Sequence, residues 1–173
     1  MSYLIRHGAT NYSERNTKIY QGFGVNFAPL TQKGIEEIKT TATDSRLIGT
    51  NVILSSPYTR ALQTAVILSK ELQADFIIET DLHEWMANKS HIYETDEKAE
   101  KSYYEFFCSN GNHPIGEQKE WDDFSALKKR GLAVLNIYKH YDKVIVACHG
   151  MIIQAICNGD HPKNGEIVEL NLE

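Results

Sequence analysis

The stretch Leu4-Ile5-Arg6-His7-Gly8-Ala9-Thr10 decides how this chain is read. Leu4 and Ile5 lead straight into an arginine, a histidine and a glycine. A short apolar run of this kind reads as a buried strand. It drops polar side chains at its carboxyl edge, where open α/β sheets bind ligands. Gly8 has no Cβ and so permits a sharp turn or a close approach. Arg6 offers a planar fork suited to phosphate or carboxylate. His7 titrates near neutrality and can act as nucleophile, base or metal ligand.

Working outward, the same type of strand recurs. Asn51 to Ser55, Asp75 to Ile78 and Lys143 to Cys148 are short apolar runs, and Asn164-Gly165 turns into a closing strand over Glu166 to Leu172. Helical patterns lie between them. Pro29-Leu30-Thr31 opens a helix to about Leu47 with Thr31 as N-cap, and Ser56-Pro57 starts another to about Leu72, with serine capping and proline at the first position. A helix is expected near Glu97–Cys108, packed through Tyr103, Tyr104, Phe106 and Phe107. A long one follows from about Glu117 to His140, and a short one spans Met151 to Cys157. Asn11 to Phe27 has no period and reads as an irregular, functional loop. Strands alternating with helices predict an α/β fold, a three-layer sandwich with a mostly parallel central sheet flanked by helices. We expect one domain over residues 1–173, with a lid insertion at about 85–116.

The composition is that of a globular protein, with 173 residues, 42% hydrophobic and 24% charged. The net charge of −5 argues against a nucleic-acid binder. No apolar run approaches a membrane span, and Met1-Ser2-Tyr3 enters the first strand without room for a signal peptide. Cys108, Cys148 and Cys157 are odd in number and lack a CxxC spacing, which fits reduced thiols in the cytoplasm.

Two strands end alike: Ile5-Arg6-His7-Gly8 and Ala147-Cys148-His149-Gly150 each place a histidine before a glycine. In a parallel sheet those ends lie on one side. Arg60, in the first turn or so of the helix after Ser55-Ser56-Pro57, joins them near that helix's positive end. Two histidines, two arginines and a helix N-terminus make an anion site, with phosphate the obvious ligand. Glu84 brings a carboxylate to the same rim, with Glu79 and Asp81 as the other candidates for an acid. His83, His91, His113, His140 and His161 lack metal-ligand spacing and read as ordinary loop residues. Trp85, Tyr93 and Tyr103 could line a pocket, with core packing of the helical cap the favoured reading.

At these residues the chain resembles the histidine phosphatase superfamily, the phosphoglycerate-mutase-like group. The carriers, in order, are Arg6-His7-Gly8, Gln21-Gly22, Pro29-Leu30-Thr31 with Gly34, and Ser55-Ser56-Pro57 with Arg60-Ala61-Leu62-Gln63-Thr64-Ala65. Leu82-His83-Glu84, Gly116-Glu117 as the opening of the long helix, and His149-Gly150 complete them. The resemblance implies that His7 attacks phosphorus and becomes a phosphohistidine. Arg6, Arg60 and His149 would hold the phosphoryl oxygens, His149 working best protonated. Glu84 would protonate the leaving alcohol and then activate water. Thr10, Gln21, Gly22 and Gly150 would contact substrate, and the cationic side chains would make a metal or other cofactor unnecessary. Ala9 stands where glutamate is frequent. Ser13 replaces a common asparagine, with Asn11 or Asn16 available instead.

The lid between Trp85 and Gly116 contains no arginine, and Glu79 to Glu105 is strongly acidic. The expectation is therefore a hydrolase acting on a small phosphorylated metabolite, with bisphosphates as poor substrates. The alternatives are a phosphoglycerate-mutase-type phosphotransferase and a non-catalytic sensor of phosphorylated ligands.

Overall fold

Val144-Ile145-Val146-Ala147-Cys148 is the central strand of a five-stranded sheet, and every one of its residues is buried. The structure is a computed structural model and describes residues 1–17 and 23–171. The strands are β1 (Ser2–Arg6), β2 (Val52–Ser55), β3 (Phe76–Ile78), β4 (Val144–Cys148) and β5 (Ile167–Leu170), in the spatial order β3-β2-β4-β1-β5. The first four are parallel to their neighbours, and β5 runs antiparallel to β1. The helices are α1 (Gly24–Phe27), α2 (Gln32–Ala42), α3 (Thr59–Leu72), α4 (Asp96–Cys108), α5 (Phe124–Ile137) and α6 (Gly150–Cys157).

Strand alternation builds two cores from one run of residues. Ile145 and Ala147 join Ile5, Ile53 and the apolar faces of α2 and α3, including Ile38, Ala65 and Leu68. Val144, Val146 and Cys148 point the other way, into Leu4, Leu54, Val134, Leu135, Ile152 and Ile156 on the α5 and α6 side. The result is the expected three-layer arrangement. A third, smaller cluster of Phe106, Trp121, Leu127, Met151 and Ala155 ties α4 to α5 and α6. No described helix is long and apolar enough to cross a membrane.

Several helix ends differ from expectation. The second helix stops at Ala42 rather than near Leu47, because Thr40, Thr41 and Thr43 turn their hydroxyls onto preceding carbonyls. Asp44 then caps a separate 3-10 turn over Ser45–Leu47. The α3 helix begins at Thr59 and not at Pro57, with Tyr58 as an N-cap that makes no side-chain bond; the Ser56 hydroxyl accepts from the Tyr58 N–H and contacts His149 Nε2. The long helix starts at Phe124, capped by Asp123, and not at Glu117. Upstream, Glu120 and Asp122 pair their backbones with Lys89 and Met86, which holds that segment extended against the lid. Gly116 sits in a turn with φ of +81° and opens no helix. Within α4 only Phe106 is buried; Tyr103 and Phe107 pack edge to face while partly exposed, and Tyr104, 70% exposed, is the one of the four expected aromatics that points to solvent.

Candidate active site

The parallel register places the ends of three strands together. Arg6 pairs with Cys148 and Ser55 with Ala147, so β1 and β2 flank β4 and deliver His7, Ser56 and His149 to one edge. The His7 and His149 rings lie 5.2 Å apart, edge to face. Thr31 caps α2, accepting a bond from Gly34, and the Gly34 backbone packs directly against residues 8 and 9. A Cβ on Gly8 would sit 2.4 Å from the Gly34 carbonyl oxygen. Close approach, not a positive φ, is what this glycine supplies.

His7 is fixed on both sides of its ring. Nδ1 lies 2.8 Å from the Gly8 carbonyl oxygen, and a carbonyl only accepts, so the proton resides on Nδ1. Thr10 Oγ1 is 3.2 Å from the same nitrogen. Nε2 then carries the lone pair, and Arg60 Nε donates to it at 3.2 Å. Burial, followed by the charge of Arg60, lowers the His7 pKa to about 3. The ring is neutral across the physiological range, with its nucleophilic nitrogen facing a guanidinium.

Arg60 is 3% exposed and reaches this position because α3 begins one residue before it. Its Nη1 donates to the Val25 carbonyl at 2.6 Å, and its guanidinium stacks over Tyr58 at 5.2 Å. Arg6 donates Nη1 to the Pro162 carbonyl at 2.7 Å and approaches His161 Nδ1 at 3.5 Å. Its Nε is buried with no protein partner. His149 is fully buried; Nε2 is 2.7 Å from Ser56 Oγ and Nδ1 has no partner. Burial first, then Arg60 and His7, hold the pKa of His149 well below the ordinary histidine value. These surroundings favour the neutral form of the His149 ring.

Glu84 arrives after β3 by way of a 3-10 turn over Thr80–Leu82. Its Oε1 accepts from the Trp85 N–H at 2.9 Å and its Oε2 from the Met151 N–H at 3.3 Å, in the first turn of α6. Arg130, on α5, bridges this segment: it donates to the carbonyls of Asp81, His83 (2.6 Å) and Glu84 (3.2 Å), and pairs with Asp122 at 3.6 Å.

Arg6, His7, Arg60 and Glu84 all line a cavity of about 690 Å³. Thr10, His149 and Gly150 belong to the same edge but are not among its lining residues: Thr10 bonds to His7, and Gly150 packs beneath His161, whose Nε2 would lie 2.1 Å from a Cβ there. Gln21 and Gly22, expected to contact substrate, lie outside the described residues. Trp85, Tyr93 and Tyr103, for which packing of a cap was favoured over a pocket, line the cavity, and Trp85 and Tyr103 also pack edge to face at 5.7 Å. Among the described residues, no three His, Cys, Asp or Glu side chains form a group that could hold a metal.

Three contributors escape a linear reading. His161, taken for an ordinary loop residue, lines the cavity beside Arg6. Asn164, read only as part of a turn, donates to the His7 carbonyl at 2.8 Å. Arg130 carried a signal: it lies at helical spacing from Leu127 and Val134, both buried, so its place on the inward face was readable.

The comparisons agree with this geometry. A family model described as histidine phosphatase superfamily (branch 1) matches residues 2–163. The adenosylcobalamin/alpha-ribazole phosphatase of Escherichia coli strain K12 is 27% identical over 159 residues, covering 89% of this chain and 75% of that protein. A probable phosphoglycerate mutase of Shigella dysenteriae is 32% identical over 102 residues, covering 57% of this chain and 45% of the relative. The solved structure of Bacillus stearothermophilus YhfR superposes with a TM-score of 0.65 at 22% identity, covering 90% of this chain and 77% of that one, and shows the same fold.

Proposed function

We propose that this chain, which belongs to branch 1 of the histidine phosphatase superfamily, hydrolyses a small phosphomonoester through a phosphohistidine at His7. One observation carries the reading: His7 Nε2, deprotonated and buried, faces the cavity edge with a guanidinium at 3.2 Å. A neutral imidazole with a fixed tautomer is a competent nucleophile. Arg60 and Arg6 supply positive charge where the phosphoryl oxygens would lie, which stabilises a loose, charge-spread transition state.

In the first step His7 Nε2 forms a bond to phosphorus as the ester P–O bond breaks, and Glu84 passes a proton to the leaving oxygen. In the second, water attacks the phosphohistidine, Glu84 takes back a proton, and His7 and inorganic phosphate are released. The incoming phosphoryl group adds negative charge beside His149, which opposes the field that keeps this ring neutral; proton uptake at His149 accompanies substrate binding. Among the buried polar atoms without partners, Arg6 Nε is a donor on a residue that lines the cavity, and a phosphoryl group would satisfy it.

The catalytic group in this reading is His7, Glu84, Arg6, Arg60 and His149, within one domain whose lid spans about 85–116. The relative named as a phosphatase supports hydrolysis. The free thiols of Cys108, Cys148 and Cys157 support a cytoplasmic setting. The deciding experiment is phosphate release from p-nitrophenyl phosphate with EDTA present, for the wild type, His7→Ala and Glu84→Gln. Release that survives chelation and disappears in His7→Ala is expected. Activity retained by His7→Ala refutes the mechanism; isomerisation of phosphorylated metabolites without phosphate release would make the protein a phosphotransferase.

A further inference from the structure

Resting on the phosphomonoesterase reading, we propose that the alcohol part of the substrate is an aromatic, nucleoside-sized group that bears no carboxylate and no second phosphate. Size comes first. A cavity of about 690 Å³ falls in the range of roughly 300–1,000 Å³ that encloses drug-sized ligands. A phosphoryl group together with a three-carbon alcohol would leave much of it unfilled.

Charge comes second. Among the described residues, Arg6 and Arg60 line the end of the cavity that holds His7. On the lid side the lining has Glu94, Asp96 and Glu97 against a single arginine, Arg15. Arg15 already faces Asp96 at 3.7 Å, and Glu94 is shared between Asn88 and Lys98. Among the described residues, a second anion on the substrate would meet carboxylates there and no uncommitted arginine. Phosphoglycerates, phosphoserine and bisphosphates all carry such an anion.

The chemistry of the wall comes third. Trp85 is held by its Nε1 on the Asp122 carbonyl at 2.7 Å and braced edge to face by Tyr103 and Phe106, each at 5.7 Å. It offers a fixed aromatic surface, and Tyr93 and Asn26 line the same cavity. Rings that stack, beside an amide that reads polar edges, match a planar heterocycle better than an aliphatic polyol.

The test is a set of kcat/KM values for p-nitrophenyl phosphate, adenosine 5′-monophosphate, thymidine 5′-monophosphate, 3-phosphoglycerate and fructose 1,6-bisphosphate. Nucleoside monophosphates are expected to exceed the last two by about tenfold or more, as one discriminating pocket contact can supply. Trp85→Ala should raise KM for adenosine monophosphate and Trp85→Phe should restore it. Glu97→Lys should raise the ratio of 3-phosphoglycerate to adenosine monophosphate turnover. Hydrolysis of p-nitrophenyl phosphate with equal or better use of 3-phosphoglycerate overturns the specificity while leaving the phosphatase reading intact. Failure to hydrolyse any of the five overturns both.

Discussion

Asn164 Nδ2 donates a hydrogen bond of 2.8 Å to the backbone carbonyl of His7, across 157 positions of sequence. It is one of several bonds that strap the segment before β5 onto the end of β1. Pro162 O accepts from Arg6 Nη1, Gly165 N–H donates to Arg6 O, and Arg6 N–H donates to Glu166 O. His7 and the neighbouring Arg6 are therefore held by a stretch far away in the chain.

Asn164→Ala leaves the His7 carbonyl without this donor. Losing one hydrogen bond at a partly buried backbone group costs about 1–3 kcal/mol, and the His7 ring gains freedom. The expected result is a fall in kcat larger than any rise in KM for p-nitrophenyl phosphate, with the fold retained by circular dichroism. Wild-type kcat in Asn164→Ala would show that the strap does not position His7.

Arg130→Lys replaces a planar fork by a single ammonium, which cannot span three carbonyls. The segment bearing Glu84 would then shift, and misplacement of about 1 Å can cost up to roughly a hundredfold in rate. In the proposed mechanism Glu84 serves the leaving group, so the loss should be greater for alkyl phosphates than for p-nitrophenyl phosphate. Equal losses for both would separate Arg130 from the acid.

Gly34→Ala would place a Cβ 2.2 Å from the Ala9 carbonyl oxygen and 2.7 Å from the Ala9 nitrogen. Both are backbone atoms, so relief requires movement of the turn that follows His7. Overpacking of this kind costs typically about 1–3 kcal/mol. Urea denaturation should show the lower midpoint, and activity of the folded fraction should fall as well. An unchanged midpoint would contradict the close approach of α2 to this turn.

Acid should destabilise the fold through His7. Its folded pKa of about 3 lies below the value of about 6.5 in an unfolded chain. Between these values the unfolded state binds a proton that the native state refuses. The stability that neutral His7 contributes is thus complete above about pH 6.5 and is lost as pH falls toward 3, at up to about 1.4 kcal/mol per pH unit. His149 shifts in the same direction. Nitrogen NMR should show His7 neutral with its proton on Nδ1 from pH 8 to 5; titration within that window would refute the assignment.

The sequence alone determined the alternation of strands and helices, the two histidines at strand ends and Arg60 at a helix start, and it offered Glu84, beside Glu79 and Asp81, as a carboxylate at the same rim. These rest on local signals: apolar runs, the Thr31 cap, and polar residues that interrupt a strand at its carboxyl end. It misplaced the start of the long helix and the end of α2, because a helix pattern continues through residues that tertiary partners claim. Glu120 and Asp122 pair with Lys89 and Met86, and the threonines after Lys39 donate to carbonyls three or four residues earlier. Only the tertiary structure decided that His161 and Asn164 belong to the site, which carbonyls the inward-facing Arg130 spans, and that Trp85, Tyr93 and Tyr103 line the cavity. Their roles come from contacts between residues far apart in the chain, and such contacts leave no period or spacing in the sequence. The protonation of the histidines was likewise undecided there. Type and spacing name a histidine, whereas its pKa depends on how much water and which charges the folded chain leaves around it.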